Sequence, residues 1–192
     1  KPTPVATSAN PMSQVHVDID RQVDTEAVPG DDEVHRWVTA ALRDEREVAE
    51  VSVCIVDTAT SAELNHRYRG KNYPTNVLSF PADLPAELGL PLLGDLVVCA
   101  DVVAREALEQ GKTPNAHWAH MLVHGTLHLL GYDHIEEHEA EAMEALETDI
   151  VTALGFAPPY NEITQGQTTS PTQQATLPTQ KSTSPTQEPT VP

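Results

Sequence analysis

Three histidines stand in the run His124-Gly125-Thr126-Leu127-His128-Leu129-Leu130-Gly131-Tyr132-Asp133-His134, spaced H-x3-H-x5-H. On a helix, residues four apart lie on one face a turn apart, so His124 and His128 can point at the same ion. Gly131 is the natural place for that helix to end in a left-handed turn, which swings His134 back toward the ion. Three neutral imidazoles leave one zinc coordination position open for water, the arrangement of a catalytic rather than a structural site. The chemistry expected is metal-dependent hydrolysis.

His117 and His120 share the stripe of His124 and His128, since offsets of three to eleven residues return near one helix face. Spacing alone does not choose among them. The glycine break favours His124, His128 and His134, because it lets a third ligand converge on the first two. His138, in an acidic stretch, is assigned to solvent. The run also fits H-x-x-x-H-x-x-G-x-x-H, the zinc framework of the metzincin proteases, with one residue missing. Those enzymes place a glutamate beside the first histidine as general base, and here that position is Gly125.

A second constellation lies in Leu64–Pro81, LNHRYRGKNYPTNVLSFP, where Arg67, Arg69 and Lys71 fall within five residues. Cations before Gly70 suit the negative end of a helix dipole, which is sufficient reason for them if they stand alone. Beside a metal site, a guanidinium can also clamp a phosphate and stabilise charge that develops in a transition state. Thr75, Asn76 and Ser79 are candidate hydrogen-bond donors or simply turn and strand residues.

The elements that must position these groups are legible as alternating strands and helices. Val15, Val17 and Ile19 alternate with polar residues as a strand, and Asp31-Asp32-Glu33 opens a helix to about Arg43. Val51–Val56 is a β-branched strand, followed by a helix capped at Asp57 or Thr58 and running to about Tyr68. Strands are expected at Val77–Phe80 and Leu96–Ala100, then a helix capped by Asp101 and ending at Gly111. Thr113-Pro114 starts the histidine helix. A last helix from about Glu136 to Leu154 carries Met143, Leu146, Ile150 and Leu154 on one side and stops at Gly155. The expected fold class is α+β: a single domain with a small mixed β-sheet packed against several helices.

Residues 12–164 are read as that domain, residues 1–11 as an extension before Met12, and residues 165–192 as a disordered Ser/Thr/Pro/Gln-rich tail. Cys54 and Cys99 sit in apolar runs and read as buried free thiols, which fits a cytoplasmic protein. No stretch approaches the roughly 20 apolar residues that span a bilayer. Residues 12–164 hold 9 Lys/Arg against 28 Asp/Glu, a net charge of −19. That excludes a generic basic nucleic-acid coat, so an anionic substrate must be met locally by a few placed cations and a metal.

The phrases LNHRYRGKNYPTNVLSFP, LLGDLVVC and HWAHMLVHGTLHLLGYDH resemble the YbeY family of bacterial rRNA maturation factors, over about Ser13 to Tyr160. The resemblance implies a single-strand-specific endoribonuclease with one zinc ion per chain. It acts in ribosomal RNA processing, at the 3′ end of 16S rRNA, and in quality control of the small ribosomal subunit. By position it implies His124, His128 and His134 as zinc ligands and Arg69 as a catalytic arginine; beside them, Arg67 and Lys71 are read from their charge as steering the RNA backbone. Asp133 is read as a turn residue, a partner for a ligand histidine, or a weak candidate base. Two rival readings remain at this level. One is a metzincin-like metalloprotease lacking the usual glutamate; the other is a non-catalytic ribosome-assembly factor stabilised by zinc, which calls for a fourth protein ligand.

Overall fold

The alternation of Val15, Val17 and Ile19 with polar residues becomes β1 (Val15–Arg21), and the β-branched run becomes β2 (Ala49–Val56). The computed structural model describes residues 14–160 apart from Thr25 and Asp44, so the expected extension and tail lie outside the described residues. Between the first two strands runs α1 (Asp31–Leu42), closed by Arg43 in a positive-φ conformation. After β2 comes α2 (Thr58–Arg69), whose N-cap Asp57 accepts a hydrogen bond from the Thr60 amide at 2.8 Å. Gly70, with φ of 69°, ends that helix in the left-handed conformation that lets its amide reach back to the Asn65 and His66 carbonyls.

The remaining elements are β3 (Val77–Pro81), β4 (Leu92–Cys99), α3 (Ala100–Glu109), α4 (Pro114–Leu129) and α5 (Glu137–Ala153). The four strands form one sheet in the order β1-β2-β4-β3. β1, β2 and β4 are mutually parallel, and β3 runs antiparallel to β4 at the edge. This is the α+β domain with a small mixed sheet that the residue patterns predict.

Some boundaries differ from expectation, β2 beginning at Ala49 rather than Val51 among them. β4 begins at Leu92 rather than Leu96, and α3 begins at Ala100 with Cys99 at its N-cap, so Asp101 sits in the first turn and does not cap it. Gly94 hides the strand's first half. Its φ of 148° brings the backbone so close to β3 that a Cβ there would lie 2.3 Å from the Phe80 carbonyl oxygen. Glycine inside a strand marks this kind of close approach as well as a turn.

One face of the sheet is dry. Val51, Val53 and Ile55 of β2 and Leu96 and Val98 of β4 pack with Val34, Trp37 and Val38 of α1 and Trp118, Ala119 and Leu122 of α4. A second cluster, built on Val123, Leu127, Met143, Ile150 and Val151, joins α4 to α5. Helix α4 is therefore enclosed between sheet, α1, α3 and α5, and its polar side chains need partners inside the fold. On the other face, Asp18 and Asp20 of β1 and Glu50 of β2 are exposed.

Candidate metal centre

Helix α4 starts where expected. Thr113 is its N-cap, accepting from the Ala116 amide at 3.2 Å, and Pro114 occupies the first turn. It ends at Leu129, after which Gly131 takes a φ of 100° and its amide bonds the His128 carbonyl at 3.0 Å. The turn carries His134 back as predicted. Ligand atoms of His124, His128 and His134 all lie within 4.8 Å of one another.

Each helical imidazole is oriented by a second bond. The Nδ1–H of His128 donates to the Tyr132 carbonyl at 2.9 Å, and that of His124 donates to Oε1 of Glu147. Protons on both Nδ1 atoms leave both Nε2 lone pairs facing one point, and the two Nε2 atoms are 3.1 Å apart. A tetrahedral zinc with bonds of about 2.0–2.1 Å places its nitrogens roughly 3.3–3.4 Å apart, so the pair fits one ion. The exposed His134 ring needs only a small approach to complete the set. Burial, with His124 and His134 nearby, pushes the His128 pKa below its usual value, which keeps that ligand in the neutral form a metal requires.

Glu147 is the residue that sequence reasoning missed. It is fully buried, and its carboxylate accepts from His120 Nε2 at 3.1 Å, from His124 and from the Tyr160 hydroxyl. Burial pushes its carboxyl up, but the hydrogen bonds from His120, His124 and Tyr160 outweigh that and hold its pKa at about 2. The signal was present: one acid at position 147 interrupts the apolar stripe of Met143, Ile150 and Val151 on α5.

His117 and His120 do not join the ligand cluster. His117 Nε2 bonds Glu106 of α3 at 3.0 Å, and the same carboxylate accepts from Asn76 at 3.0 Å. His138 is exposed, as expected. Asp133 contacts its neighbour: its Oδ1 accepts the His134 amide at 2.7 Å and lies 4.0 Å from His134 Nδ1. Cys54 and Cys99 are free thiols outside the histidine cluster.

Gly125 faces the sheet. A Cβ there would meet Leu96 Cδ2 at 2.9 Å, Val77 Cγ2 at 3.2 Å and Ser79 Oγ at 3.3 Å. The Ser79 hydroxyl also donates to the Gly125 carbonyl at 3.1 Å. The protease framework is thus incomplete for a packing reason, since even a methyl group beside His124 would press on Leu96, Val77 and Ser79.

The cations are placed separately from the histidines. Arg67 and Arg69 lie in the last turn of α2, which meets β3 through an edge-on contact of Tyr68 with Phe80 at 4.9 Å. Side chains alternate along a strand, so Phe80 points away from the face where Ser79 meets α4. Tyr68, the neighbour of Arg67 and Arg69, thus meets β3 at Phe80. The Cβ position of Gly94, beside the Phe80 carbonyl, is 2.9 Å from Leu129, the neighbour of His128. Arg67 is engaged by Glu63 at 3.3 Å, whereas Arg69 and Lys71 are exposed and carry no ion pair among the described residues. The loop behind them is held by Ser61, which bonds Thr75 at 3.0 Å, and by Asn65, which donates to the Tyr73 carbonyl at 2.8 Å.

Comparison with known proteins gives the family. The family model described as Endoribonuclease YbeY matches residues 18–155. An Endoribonuclease YbeY of Cellvibrio japonicus is 55% identical over 152 residues, covering 79% of this chain and 86% of the relative. A solution structure of a Thermotoga maritima protein aligns with a TM-score of 0.49 at 22% identity, over 73% of this chain and 91% of that one. The chain belongs to the YbeY endoribonuclease family.

Proposed function

We propose that this protein is a zinc-dependent, single-strand-specific endoribonuclease that matures ribosomal RNA at the 3′ end of 16S rRNA and serves quality control of the small ribosomal subunit. Its catalytic domain is residues 12–164, it holds one zinc ion per chain, and it works in the cytoplasm. The observation that carries the reading is the convergence of His124, His128 and His134, with two tautomers fixed for metal ligation, in a chain of this family.

His124, His128 and His134 would hold a zinc ion, which when bound would supply an acidified water and a Lewis acid for the phosphate. The rest is done by the chain itself. Glu147 and the Tyr132 carbonyl hold the His124 and His128 rings in register. Arg69, exposed and without an ion pair among the described residues, binds the scissile phosphate and stabilises the charge that builds on its oxygens. Lys71 draws in the flanking backbone, and Arg67 follows once Glu63 releases it. In a domain of net charge −19 these cations supply local attraction that the overall field opposes. With Gly125 pressed on Leu96, Val77 and Ser79, there is no seat for a peptidase glutamate, which weighs against the protease reading.

The test is cleavage of a single-stranded RNA by the zinc-loaded protein beside His124→Ala and Arg69→Ala. Loss of the arginine should cost about 10²–10³ in rate and leave zinc binding unchanged. Equal cleavage by all three proteins sinks the assignment.

A further inference from the structure

The segment after α5 folds back over the helix that carries the ligands. Gly155, with φ of 94°, turns the chain, and the Phe156 amide bonds the Val151 carbonyl at 3.2 Å. Phe156 sets its ring edge-on to Trp37 of α1 at 5.9 Å, and Arg36 of the same helix donates to the Leu154 carbonyl at 3.0 Å. This strap ends with the Tyr160 hydroxyl on Glu147.

Glu147 thereby joins three elements inside the fold. Its Oε1 takes the His124 Nδ1–H, and its Oε2 takes both the His120 Nε2–H at 3.1 Å and the Tyr160 O–H. Tyr160 also stands 3.3 Å from His120 Nε2, with the two rings perpendicular at 5.2 Å. A buried carboxylate with one donor could swing about its last torsion. With three donors on two oxygens its plane is fixed, and so is the direction in which His124 presents Nε2. A carboxylate behind a ligand imidazole also strengthens that ligand's grip on a cation.

We propose that Tyr160 and His120 are positioning residues of the metal centre: acting through Glu147, the strap of residues 155–160 sets how tightly and in what geometry His124 holds the ion. The strap is part of the site although none of its side chains reaches the ligand cluster. The inference rests on the metal-centre reading above but not on RNA cleavage.

The experiment measures zinc affinity of the full chain by competition with a chromophoric chelator, and the visible absorption spectrum of the cobalt-substituted protein. Tyr160→Phe keeps the ring and loses only the hydroxyl; it should weaken zinc binding about tenfold and shift the cobalt bands, the low end of the range for outer partners of a ligand. Glu147→Gln should lose about 10–100-fold; if it fails to fold, Tyr160→Phe still decides. Ile150→Val, a packing loss on the same buried face of α5, should keep the parent affinity and spectrum. Parent affinity and spectrum in Tyr160→Phe, or an equal loss in Ile150→Val, overturns the proposal. A parent chain that binds no zinc overturns the metal-centre reading itself, whereas a tenfold loss in Tyr160→Phe without any RNA cleavage upholds the strap and removes only the nuclease.

Discussion

Replacing Gly125 with alanine tests why this framework lacks a peptidase base. In an unhindered helix interior the change gains about 1 kcal/mol of helix propensity. Here the added methyl would lie 2.9 Å from Leu96 Cδ2, 3.2 Å from Val77 Cγ2 and 3.3 Å from Ser79 Oγ, with Leu96 and Val77 themselves 0% and 6% exposed. Overpacking of that kind costs about 1–3 kcal/mol. The net change should run from nearly neutral to about 2 kcal/mol of lost stability, which at roughly 2–4 °C per kcal/mol lowers the melting temperature by up to about 8 °C. Leu96→Ala removes the tightest neighbour, so the double variant should cost less than the two single costs summed, by at least about 0.5 kcal/mol. Gly125→Glu adds an unpaired buried charge to the same clash and should lose about 4 kcal/mol or more. The assay is thermal unfolding of the zinc-free proteins. Full realisation of the propensity gain in Gly125→Ala, strict additivity with Leu96→Ala, or a folded Gly125→Glu that cleaves peptides would refute the reasoning.

Two further outcomes are expected. Zinc at one hundred times its dissociation constant should stabilise the chain by about 2.7 kcal/mol, a rise of roughly 5–10 °C in melting temperature that His128→Ala abolishes; an equal rise in that variant would place the ion elsewhere. Burial, only partly opposed by the bond to Glu106, holds His117 below its usual pKa of 6.5. The unfolded chain therefore takes up that proton first, so the stability from this site is complete above about pH 6.5 and is lost as pH falls toward the folded value. His117→Gln, which can still donate to Glu106, should flatten the decline of the zinc-free melting temperature between about pH 7 and 5; an unchanged decline would remove His117 from the acid response.

The histidine cluster was legible because it is local: a four-residue helical spacing and a glycine turn need no knowledge of the rest of the fold. The strands with clean apolar runs and the helices with strong caps, Asp57 and Thr113, were legible for the same reason. What escaped depends on neighbours distant in sequence. Glu147 acquires its role only when α5 lies along α4 and brings it to His124, 23 positions away. His117 and His120 share the stripe of the ligands and are distinguished only by the carboxylates of Glu106 and Glu147 that face them. Gly94 looks like a strand boundary until β3 is seen pressed against it, and the emptiness of position 125 is explained only by the sheet below it.

The central claim is that the histidine cluster holds the metal that makes this chain a ribonuclease. The most direct measurement is cleavage of a single-stranded RNA oligonucleotide by the chelator-stripped protein as zinc is titrated back. The account predicts no cleavage from the stripped chain and activity that rises to a plateau at about one zinc per chain. Cleavage that survives stripping, or that His128→Ala recovers with the same titration curve, would contradict it.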